Sequence, residues 1–100
     1  AAAAGADWKS APGMGVVLTN QPGAQSWPVT SATFILVHKT ADNPAKTKEV
    51  FDFFNWAFAK GTDSARALDY VALPAEVTQA IAGQWKTDVK SADGKAVWQQ

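Results

Sequence analysis

A single histidine, His38, follows an apolar run at residues 34–37, where a strand would open onto a loop or cleft. A general base needs an orienting partner, and no serine or cysteine nucleophile motif accompanies His38, so it reads as a surface residue at a strand end. Glu49 and Asp52 lie three apart on a helix and in principle could share acid–base work. They fall among Lys46 and Lys48, however, and read as a solvated helix surface. Metal binding needs three or four converging ligands, which one histidine and scattered carboxylates do not give. Gly13-Met14-Gly15 looks like half of a dinucleotide loop, but it precedes a strand where that fingerprint requires a strand before and a helix after. Five tryptophans could stack on sugars or bases; they are spread along the chain among apolar neighbours and read as packing. Trp27-Pro28-Val29-Thr30-Ser31 offers two hydroxyls just before the apolar run, a place where α/β proteins often hold anions. Arg66, the sole arginine, has the fork geometry that suits phosphate and carboxylate, and it reads as a surface or packing residue.

The elements that would carry these residues follow from local pattern. Residues 1–8 read as the last turns of an Ala-rich helix that Gly5 ends. Residues 10–15 form a loop, Val16, Val17 and Leu18 a short strand, and residues 20–23 a turn. Thr33, Phe34, Ile35, Leu36 and Val37 are β-branched, aromatic or aliphatic without alternation, which predicts a strand buried on both faces. Asn43 can cap a helix whose first position Pro44 takes, and the helix should end near Gly61. On it Val50, Phe51, Phe53, Phe54, Ala57 and Phe58 share a broad apolar face, while Lys48, Asp52 and Asn55 lie opposite. Trp56 falls toward the polar side and is expected under a neighbouring segment. A short helix is predicted over residues 63–68. Leu73-Pro74 opens another, which carries Val77, Ala80, Ile81 and Trp85 and stops near Asp88 or Val89. Asp93-Gly94 signals a turn in the tail.

One hundred residues suffice for one domain or part of one, and 47% apolar with 18% charged residues marks a chain meant to be packed. Nine basic residues balance nine acidic ones, so no general field attracts nucleic acid. The absence of cysteine removes disulfides and thiolate chemistry. No apolar run approaches the roughly 20 residues of a membrane span. The opening alanines lack the basic flank of a secretory signal. One short companion strand cannot supply both edges of a strand at 33–37, and two-stranded sheets are marginal in water. The chain is therefore expected to be part of a larger α/β protein.

Several stretches, taken in order from about Ala2 to Lys95, carry a resemblance. They are Leu18-Thr19-Asn20-Gln21, Ser26-Trp27-Pro28-Val29-Thr30-Ser31 and Thr33-Phe34-Ile35-Leu36-Val37-His38-Lys39, then Phe53-Phe54-Asn55-Trp56-Ala57, Leu68-Asp69-Tyr70, Leu73-Pro74 and Trp85-Lys86-Thr87. Together they resemble the C-terminal third of the periplasmic phosphate-binding proteins, the solute receptors of the bacterial phosphate ABC transporter. The resemblance implies an α/β, two-lobed periplasmic-binding-protein fold of type II, with one buried crossing strand and amphipathic helices. Residues 1–33 would end the second lobe and cross the hinge; residues 34–100 would form the C-terminal part of the first lobe. It implies a periplasmic solute-binding protein, not an enzyme, that captures inorganic phosphate and delivers it to an inner-membrane permease. Its partners would be phosphate, the remainder of the receptor chain and the permease, with no nucleic acid and no cofactor. The family's phosphate ligands lie upstream, so no ligand-binding, catalytic or metal residue is expected in this segment, and Arg66 does not match the family's arginine. The ending Trp98-Gln99-Gln100 departs from the family's shorter aromatic end. Alternatives on the same scaffold are a receptor for another oxyanion and an extracytoplasmic phosphatase-like protein.

Overall fold

Asn43 starts the longest element as its side chain predicts: Oδ1 accepts the Lys46 amide at 3.1 Å, and Pro44 occupies the first turn. In the computed structural model, which describes residues 1–99, the elements in chain order are α1 (Ala2–Gly5), a 3-10 turn (Pro12–Met14), β1 (Thr40–Ala41), α2 (Pro44–Lys60), α3 (Thr62–Ala67), α4 (Ala75–Asp88) and β2 (Lys90–Ser91). Gln100 in the expected ending lies outside the described residues. Gly61 ends α2 and begins α3, and a Cβ there would stand 2.6 Å from the Ala57 carbonyl oxygen, so only glycine fits the junction. α4 stops at Asp88, where the sequence predicts.

β1 and β2 pair in parallel, Thr40 with Lys90 and Ala41 with Ser91, and the three helices α2, α3 and α4 make the crossover between them. After β2 the chain turns at Gly94, whose φ of +81° suits glycine, and returns so that Lys90 bridges Ala96 antiparallel. That return carries Val97 and Trp98 into the core.

Two apolar clusters hold the chain together. Ala41, Phe51, Val89, Val97 and Trp98 form one, with Ala82 and Trp85 against it. Trp8, Leu18 and Val77 form the other, with Leu73 and Ile81 beside them. α4 links them, since Val77 and Ile81 face one and Ala82 and Trp85 the other. The radius of gyration, 14.7 Å, exceeds the about 13 Å expected for a compact domain of this length.

Three expectations are corrected here. The strand over 33–37 is not formed: it has no ladder partner, and Phe34, Ile35, Leu36 and Val37 are all exposed, Leu36 at 94%. The physical cause is the missing partners: pairing begins only at Thr40 and Ala41, beyond the stretch, where β2 is available, and no described strand meets the edges of residues 33–37. The short strand at 16–18 is likewise absent; Leu18 is buried against Trp8 and Val77 as a loop residue. The helix over residues 1–8 is a single turn ending at Gly5, with Trp8 Nε1 donating to the Ala3 carbonyl at 2.6 Å.

Candidate functional site

An open groove of about 950 Å³ lies between residues 29–37 on one side and α2 and α4 on the other. Phe34, Leu36, Phe54, Phe58, Ile81 and Trp85 are among its walls. Such a lining attracts apolar surface; an anion site needs converging donors instead. Of the two hydroxyls singled out by sequence, Thr30 Oγ1 donates to the Trp27 carbonyl at 3.0 Å, while Ser31 Oγ makes only a long contact of 3.5 Å with the Ala32 carbonyl.

The remaining candidates do not converge. His38 is exposed, and no cluster of three or more potential metal ligands occurs among the described residues. Arg66 pairs with Asp63 at 3.8 Å on the open surface of α3, a contact that contributes little in water. Glu49 and Asp52 do not pair. Asp52 instead accepts from Lys48 Nζ at 2.6 Å and from Trp98 Nε1 at 2.8 Å. Gly13 takes a φ of +60° inside the 3-10 turn, with no strand after it, so the dinucleotide-like text serves a turn.

The tryptophans divide by role. Trp85 stacks on Phe51 with centroids 4.6 Å apart and meets Trp98 in a T-shaped contact at 5.2 Å. Trp8 and Trp98 are buried, whereas Trp27 and Trp56 are exposed; Trp56 is not covered by a neighbouring segment as its position had suggested. The broad face of α2 is also split, with Phe51 buried, Phe54 and Phe58 half-buried, and Val50 and Phe53 exposed.

The Asp52–Trp98 contact was not anticipated. It joins residues 46 apart, and nothing in either one's local sequence announces the other. Its chemistry makes a testable pH effect. The hydrogen bond from Lys48, then that from Trp98, holds the Asp52 carboxyl below the ordinary aspartate value. A group lowered in the folded state adds stability above its unfolded pKa and loses it as pH falls through the folded pKa. An Asp52→Asn variant should therefore melt below wild type at neutral pH, and the gap should close on acidification below about pH 4. Thermal melts of both proteins across that range check it.

The groove and the parallel crossover describe a small α/β segment. No protein-family model matches the chain. It is 64% identical over 99 residues to the phosphate-binding protein PstS of Pasteurella multocida, covering 99% of this chain and 29% of that protein. It is 54% identical over 90 residues to phosphate-binding protein PstS of Haemophilus influenzae, and 39% identical over 90 residues to that of Xylella fastidiosa strain 9a5c. In those two it covers 90% of this chain and 27% and 25% of the relatives. The chain is thus homologous to a segment of the PstS phosphate-binding proteins and spans less than a third of their length. These relatives are named for binding, not for catalysis.

Proposed function

We propose that this chain is the C-terminal third of a periplasmic solute-binding protein that captures inorganic phosphate and delivers it to the permease of an ABC transporter. The 64% identity to a phosphate-binding protein, sustained over 99 residues, carries the reading. Within it, residues 1–33 end the second lobe of a type II receptor and cross the hinge, and residues 34–100 close the first lobe. The bare stretch at 34–37 supports that division. Its apolar side chains and unpaired backbone suit the interior of a larger sheet, and a parallel ladder begins shortly after it, at β1.

Phosphate capture by hinge closure makes and breaks no covalent bond. The segment's part is structural: a crossing strand and the helices that cover one lobe. The phosphate ligands belong to the upstream portion, in keeping with the apolar lining of the groove here and the local hydrogen bond of the Thr30 hydroxyl.

Calorimetric titration of the full-length protein tests the reading. Phosphate should bind and sulfate should not, and Ser31→Ala, His38→Ala and Arg66→Ala should each leave phosphate affinity unchanged. Preferential sulfate binding would move the protein to another oxyanion, and turnover of a chromogenic phosphoester would make it a hydrolase.

A further inference from the structure

α2 carries a second apolar surface that neither cluster uses. At 100° per residue, Phe51, Phe54 and Phe58 turn toward α4 and the groove, while Val50, Phe53 and Trp56 follow one another along the adjoining flank. Phe53 and Trp56 are 58% and 59% exposed, with ring centroids 6.1 Å apart. Phe53 also meets Phe54 edge-on at 5.4 Å, so the ridge is anchored to the groove side of the helix. Lys46 and Glu49 stand at its N-terminal end and Lys60 at its C-terminal end, all exposed, which confines the apolar part to the middle turns.

We propose that the Val50–Phe53–Trp56 ridge is the seat of a segment from the upstream part of the same polypeptide, which crosses α2 and covers it on a second side. The inference rests on the receptor-segment reading above. Size chooses the occupant: two rings of this kind, half exposed, present on the order of 250 Å². A stable contact between separate proteins takes about 800 Å² from each partner, whereas one helix or strand crossing another needs far less. The supply of chain is ample, since this segment matches only 29% of its Pasteurella relative.

Hydroxyl-radical footprinting of the wild-type full-length receptor tests this without any substitution, with phosphate titration of the same preparation. Oxidation of Phe53 and Trp56 should fall to the level of buried Phe51 and Trp98. Oxidation as fast as in the denatured protein, in a preparation that binds phosphate, overturns the proposal while leaving the receptor reading standing. Protection that arises only when the permease is added also overturns it, in favour of docking between proteins. Protection in a preparation that binds no phosphate supports the ridge and removes the receptor function instead.

Discussion

Replacing Leu36 with aspartate should act in opposite directions on the full-length receptor and on residues 1–100 alone. In the segment Leu36 is 94% exposed, and substitutions at such positions ordinarily change stability by no more than about 0.5 kcal/mol. The same side chain inside a sheet with helices on its faces would be replaced by a carboxylate with no partner. That costs about 4 kcal/mol or more, a large share of the about 5–15 kcal/mol that holds a domain folded. The full-length variant should therefore fail to fold or melt far below wild type. The isolated segment should gain solubility, because an exposed apolar edge at 34–37 is a template for pairing with other copies and a charge there interrupts it. Circular-dichroism melts of the long form and sedimentation of the short form give the two readings. A full-length Leu36→Asp protein that melts with wild type would show that residues 34–37 are not an interior strand.

That contrast also shows what local sequence can and cannot specify. α2 and α4 were legible because their signals lie within the elements: Asn43 and Pro44 at one start, Gly61 at a stop, and Val77, Ile81 and Trp85 at helical spacing. The strand at 33–37 was legible only as a demand. Its composition asks for neighbours on both edges, and the hundred residues supply one neighbour to Thr40 and Ala41 and none to Leu36. The helix wheel placed Phe53 and Phe51 on one broad face, yet the structure buries one and exposes the other, because α4 and the C-terminal return contact a narrower stripe than the apolar residues occupy. For the site, His38, Arg66 and Glu49 were weighed one by one and remain apart in space. The polar contact that does join distant parts, Asp52 with Trp98, depends on a turn at Gly94 and an antiparallel return that periodicity alone does not reveal.

Phe51→Ala should produce the largest loss of stability among core substitutions here. Phe51 has no exposed surface, stacks on Trp85 and shares its cluster with Trp98, which is 1% exposed. Removing the ring deletes its burial and leaves a cavity lined by two indoles. Their positions are fixed from other directions, Trp98 by its hydrogen bond to Asp52 and Trp85 by α4, so the cavity cannot readily collapse. A cost of about 3–5 kcal/mol follows. Urea unfolding of the full-length receptor measures it, and phosphate adds a second arm to the same experiment. If the complete protein binds phosphate as proposed and the variant keeps its affinity, phosphate at about 100 times its Kd adds about 2.7 kcal/mol to wild type and variant alike. Parallel curves displaced by that amount would place Phe51 in the scaffold and outside the binding chemistry. A cost below about 1 kcal/mol would mean that the Phe51–Trp85–Trp98 packing does not persist in the complete receptor.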